Sequence, residues 1–86
     1  MSKKAKLLQK CRQNTKNVRV DDAISLATQY GFVHRSGRHP HFLTHPNFEQ
    51  PLNFQDRGGF VPRYQAIQLL EAIDALVAAG LEKHEK

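Results

Sequence analysis

The stretch that decides the fold is Tyr30-Gly31-Phe32-Val33-His34-Arg35-Ser36-Gly37-Arg38-His39-Pro40-His41-Phe42-Leu43-Thr44-His45-Pro46. Phe32-Val33-His34-Arg35 has the apolar and branched content of a short strand, and Ser36-Gly37 ends it. His41-Phe42-Leu43-Thr44-His45 is a second strand, bounded by Pro40 and by Pro46-Asn47. Because side chains alternate in a strand, Phe42 is expected inward, with His41, Leu43 and His45 outward. Pro40 restricts the residue before it to extended backbone, which adds His39 to the outward row.

Outward from this stretch, Leu52-Asn53-Phe54-Gln55 alternates apolar with polar and reads as a third strand, with Leu52 and Phe54 inward. Asp56-Arg57-Gly58-Gly59 closes it as a flexible turn. Connections this short predict an antiparallel meander. On the N-terminal side a helix is predicted over about 21–30, with Asp21 as N-cap and Gly31 as its stop. On the C-terminal side Pro62 suits a first helical turn. There Ala66, Ile67, Leu70, Ile73, Leu76 and Val77 form an apolar stripe, and Gly80 offers the C-cap. Residues 3–13 can form a further helix with Leu7, Leu8 and Cys11 on one side, provided it packs on something. The fold class is α+β: a two-layer sandwich with helices on one face of a three-stranded antiparallel sheet, plus an N-terminal helix.

Eighty-six residues make one domain with a thin core, so an active site should lie on an open face and suit a polymeric substrate. The domain is read as a basic N-terminal arm over 1–17, a body over 18–82 and a charged tail over 83–86. Cys11 is the lone cysteine and excludes an internal disulfide; it is expected to be a small apolar contact. Neither a signal peptide nor a membrane-spanning run is visible, which makes cytoplasm the expected compartment and excludes a membrane partner.

The net charge of +5 is unevenly spread. Residues 1–20 hold seven bases and no acid, whereas the remaining 66 hold six bases and eight acids. Lys3, Lys4 and Lys6 belong to that block, which suits either a polyanion or a solvated chain end.

Four of the five histidines lie between positions 34 and 45. An imidazole titrates near neutral pH and can take a proton from a ribose 2′-hydroxyl or deliver one to a leaving 5′-oxygen. His39 follows a Gly turn that lets RNA approach. Arg38 and Arg35 can hold the scissile phosphate and offset charge on its oxygens. RNA carries its own nucleophile, so this chemistry calls for neither metal nor cofactor. His41 and Arg57 complete the candidate RNA-binding set. Two rival readings use the same residues: RNA binding without cleavage, and a metal site from His39, His41 and His45. His34 and His84 are read as strand surface and tail. Tyr64 can stack on a base or cover the core edge, and Asn53 and Gln55 face outward.

These motifs in their order resemble the HicA-type toxins, ribonucleases of bacterial toxin–antitoxin modules. The matches are Tyr30-Gly31-Phe32, Ser36-Gly37-Arg38-His39, Phe42, His45-Pro46, Leu52-Asn53-Phe54-Gln55, and Pro62-Arg63-Tyr64-Gln65-Ala66-Ile67-Gln68-Leu69-Leu70, within about residues 18–81. The resemblance implies an α-β-β-β-α fold like the double-stranded-RNA-binding domain and metal-independent cleavage of messenger RNA. It implies that His39 is the catalytic residue and that a HicB-type antitoxin covers the site. In the family's turn a second histidine stands where this chain has Pro40, and a small residue where it has Arg38.

Overall fold

In the computed structural model, backbone is described for residues 3–35 and 41–80, and side chains for the same residues except Lys3 and Lys4. The order is α1 (Lys3–Gln13), a single 3-10 turn (Thr15–Asn17), α2 (Val20–Gln29), β1 (Val33–Arg35), β2 (His41–His45), β3 (Phe48–Phe54) and α3 (Arg63–Ala78). The three strands form one antiparallel sheet in the order β1-β2-β3. This is the α+β meander that the alternating pattern predicts.

Helix α2 packs against β1 and β2, and α3 against β3. Ala23, Leu26, Ala27, Leu69, Ile73 and Leu76 from the helices meet Leu43 and Phe54 from the sheet in one buried core. The N-cap of α2 is Arg19 and makes no side-chain capping bond, so the expected cap by Asp21 is not formed. Asp21 and Asp22 lie instead in the first turn, where their charge suits the helix dipole. Gly31, at φ 97°, takes the left-handed conformation that ends the helix.

In α3 the buried stripe is Gln65, Ala66, Leu69, Leu70, Ala72, Ile73 and Leu76. It is rotated from the predicted one, taking in Leu69 and leaving Val77 exposed. Gln65 explains the offset: its Oε1 accepts the backbone N–H of Gln55 at 2.8 Å, tying the end of β3 to the first turn of α3.

β3 begins four residues before the expected Leu52, and the His45-Pro46-Asn47-Phe48 link is a tight hairpin with His45 opposite Phe48. Pro51 lies inside β3 without breaking the sheet because β3 is an edge strand.

Helix α1 is not a frayed arm. Cys11 is buried in the core, and Leu7 and Leu8 pack against it. Lys10 Nζ lies 3.1 Å from Asp22 on α2, and the Arg12 guanidinium donates to Asp74 on α3. Two of the seven bases of the N-terminal block are thus already matched by acids of the same chain.

Two backbone bonds join the segments that lead into α2 and α3. Val20 N–H donates to Gly59 O at 3.0 Å, and Val61 N–H to Val18 O at 2.9 Å. The Arg57–Phe60 turn between them is hydrogen-bonded in both directions, at 2.8 and 3.2 Å. Gly58 and Gly59 carry positive φ of 64° and 92°, as a two-residue hairpin turn requires. The segment read as flexible is therefore a fixed turn, and Asp56 Oδ1 braces it by accepting Gly59 N–H at 2.7 Å. Among the described residues no helix is long and apolar enough to cross a membrane.

Candidate nucleic-acid interface

The facing of β2 is the reverse of the expected one. Leu43 is fully buried and His45 is 8% exposed, whereas Phe42 is 40% exposed. The adjacent pair Phe42-Leu43 lets either parity bury one apolar side chain, and the neighbouring strand decides between them. Register sets His41 opposite Phe54 and Leu43 opposite Leu52, so the inward row of β3 meets the odd-numbered residues of β2. This choice also seats His45 against aromatic rings: Phe32 at 4.9 Å between centroids and Phe48 at 5.4 Å. Its Nδ1 accepts the backbone N–H of Asn47 at 3.0 Å, bracing the hairpin. His45 is therefore a core and turn residue. The proposed ligand trio of His39, His41 and His45 loses the outward row that it needs.

His41 lies on the same side of the sheet as Leu43 but at its rim, half-buried. Its Nδ1 is 3.1 Å from Nε2 of His34, and the rings are 5.2 Å apart. The two are diagonal neighbours across β1 and β2, close enough for long side chains to touch. One ring must donate and the other accept, so the bond persists only while at least one imidazole is neutral. His34, read from sequence as plain strand surface, is thus half of a histidine pair. The signal that could have found it is the meander itself, since a short β1–β2 connection brings positions 34 and 41 together.

Ser36, Gly37, Arg38, His39 and Pro40 lie outside the described residues, and with them the proposed catalytic residue and one of its arginines. What is described is the frame from which they spring: Arg35 ends β1, His41 begins β2, and the histidine pair lies beside both. Arg35 is exposed, and among the described residues no carboxylate pairs with it.

On the opposite, solvent-facing side, Arg35 lies opposite Phe42 and Phe42 opposite Asn53. Asn53 and Gln55 are exposed there as expected, and Arg57 donates to Gln55 Oε1 at 3.2 Å. Arg35 thus stands on this face, whereas Arg57 lies past the end of β3, in the turn that leads to α3. Lys6 is elsewhere, lining a groove between α1 and α2 with Leu7, Lys10, Ser25 and Gln29. The side chains of Lys3 and Lys4, and all of His84, lie outside the described residues. Tyr64 is exposed at the start of α3, with its hydroxyl accepting from Gln65 Nε2 at 3.4 Å.

Burial, with smaller help from the Asp22 charge, pushes the Cys11 thiol up, in keeping with its place as a buried packing group. No protein-family model, no curated protein and no solved structure matches this chain.

Proposed function

We propose that this protein is a HicA-like toxin: a metal-independent endoribonuclease that cleaves messenger RNA through His39 and is neutralised by a HicB-type antitoxin. The observation that carries the reading is the frame of the 36–40 segment. It leaves a strand ending in exposed Arg35, which no carboxylate among the described residues pairs with, and enters one beginning with His41, whose ring is hydrogen-bonded to His34. The residues that flank the segment, exposed Arg35 and the His34–His41 pair, are the groups that the proposed chemistry calls for next to a catalytic histidine. The order α2-β1-β2-β3-α3, with both helices contributing to the core under the sheet, supports the two-layer, double-stranded-RNA-binding-domain-like fold that the reading requires.

In the proposed reaction His39 takes the proton of the ribose 2′-hydroxyl as the 2′-oxygen attacks phosphorus. The P–O5′ bond breaks, and the imidazolium returns a proton to the departing 5′-oxygen. The products are a 2′,3′-cyclic phosphate and a 5′-hydroxyl end. Arg35 and Arg38 offset the charge that builds on the non-bridging oxygens. Arg57, His41, Lys3, Lys4 and Lys6 complete the RNA-binding set. Cytoplasm, where messenger RNA lies, is the proposed compartment.

The test is induced expression of wild type and His39→Ala in bacteria. Growth arrest with loss of messenger RNA, relieved by the substitution, is expected. Purified wild type should cut RNA in the presence of chelator and leave cyclic-phosphate ends. If both chains are harmless and neither cuts RNA, the nuclease reading fails. RNA binding with no cleavage by either chain would support the second reading, a non-catalytic RNA-binding module.

A further inference from the structure

The exposed side of the sheet carries an aromatic side chain that the buried core does not use. Phe42 is 40% exposed on β2, the middle strand, and among the described residues no ring or guanidinium stacks on it. Its two cross-strand neighbours are Arg35 and Asn53. The same face presents Val33, 53% exposed, and just past the end of β3 the exposed Gln55 accepts from Arg57.

Each class of group in this row has a counterpart in an unpaired nucleotide. The ring offers a flat apolar surface to a base, the Asn53 amide can both donate to and accept from a base edge, and the Arg35 guanidinium matches a backbone phosphate. The charge agrees: Arg35 lies directly across β1 and β2 from the ring. Asp56 is turned into its own loop by the Gly59 N–H, and the one carboxylate on the strands, Glu49, lies exposed near the start of β3, away from the Asn53 end. A duplex is a poorer fit, because its bases are stacked on one another and show the protein only sugar–phosphate and groove edges. A protein partner would want a broader apolar centre than Phe42 and Val33 supply.

We infer that the outer sheet face, centred on Phe42 between Arg35 and Asn53, is a platform on which single-stranded RNA stacks an unpaired base. This rests on the RNA-directed reading above and deepens it by naming the form of the substrate. A strand seated on Phe42 beside Arg35 passes the end of β1, where the 36–40 segment leaves the sheet. Unpaired regions of a messenger are then the regions presented for cutting.

The test uses the full chain and a short single-stranded RNA with 2′-O-methyl sugars, which blocks cleavage, together with the same strand annealed to its complement. Fluorescence anisotropy should show the single strand binding more tightly than the duplex. Phe42→Ala should weaken single-strand binding by about five- to a hundred-fold, the range that loss of one base–ring stack produces. Phe42→Tyr, which keeps the ring, should bind nearly as wild type. Equal affinity of wild type and Phe42→Ala, or preference for the duplex, overturns the platform while leaving RNA binding intact. If wild type binds neither RNA, both the platform and the proposed function fall. If Phe42→Ala leaves RNA affinity alone but abolishes self-association in sedimentation, the face is a protein interface and the inference is wrong. Far-ultraviolet circular dichroism of each variant checks that it is folded, as expected for a side chain outside the core.

Discussion

Leu43 and Phe42 are consecutive in β2 and meet opposite environments, and that contrast is directly measurable. Leu43→Ala removes a fully buried side chain facing Leu52 and should cost roughly 2–5 kcal/mol in urea denaturation. Phe42→Ala removes the larger side chain yet should cost about 1 kcal/mol or less. Comparable losses would mean that β2 pairs with the other parity. His45→Phe tests the hairpin brace. It keeps an aromatic ring against Phe32 and Phe48 but leaves the Asn47 N–H without its acceptor, so a loss of about 1–2 kcal/mol is expected. Cys11 should resist a thiol reagent in the folded chain and react at once in denaturant, because burial both blocks it and raises its pKa.

At the scale of elements, α1 is joined to the body, among the described residues, by a few apolar contacts and two ion pairs. The Arg12 guanidinium, by hydrogen bonding, holds the Asp74 carboxyl below its ordinary value of 3.8. A lowered carboxylate contributes stability above the unfolded-state value and loses it as pH falls through the folded one. Both partners are well exposed, so Asp74→Asn should cost only a few tenths of a kcal/mol near neutrality. The difference from wild type should shrink as pH falls below the carboxyl's ordinary value of 3.8 and vanish once it is protonated, as seen in urea midpoints taken across pH. The helices and the meander were legible in the sequence because periodicity and turn residues agree at Gly31, Pro62 and Gly80. The facing of β2 was not, since two adjacent apolar residues leave parity to the partner strand. The burial of Gln65 was also hidden, as a polar residue in a helix gives no hint that a backbone N–H ten positions earlier will claim its side chain. Of the candidate site, the exposure of Arg35, Asn53 and Gln55 could be read from alternation. The meander brings His34 and His41 near each other, but their diagonal contact rests on the register of the two strands, which alternation does not give.

For the molecule as a whole, net positive charge is a poor guide to where a polyanion would bind. Lys10 and Arg12 are neutralised by Asp22 and Asp74, and Arg19 lies over the Phe60 ring at 5.7 Å to its centroid. Cations on the outer sheet face and cations on α1 occupy separate places. A short single strand seated on the sheet should therefore answer to Arg35 and not to Lys6. Arg35→Ala is expected to reduce the slope of log affinity against log salt by about 0.7, the contribution of one phosphate contact to a single strand. Lys6→Ala should leave that slope unchanged for such a strand, and an equal effect of both would place the RNA elsewhere.

The pair of backbone bonds between Val18–Val20 and Gly59–Val61 has a kinetic corollary. They bring together chain segments some forty residues apart, at the roots of two helices, with Val18, Val20 and Val61 all buried. Their release requires both helices to leave the core together, so no local fluctuation exposes those amides. In deuterium exchange, Val20 and Val61 should be among the slowest protons in the chain, their protection matching the global unfolding free energy.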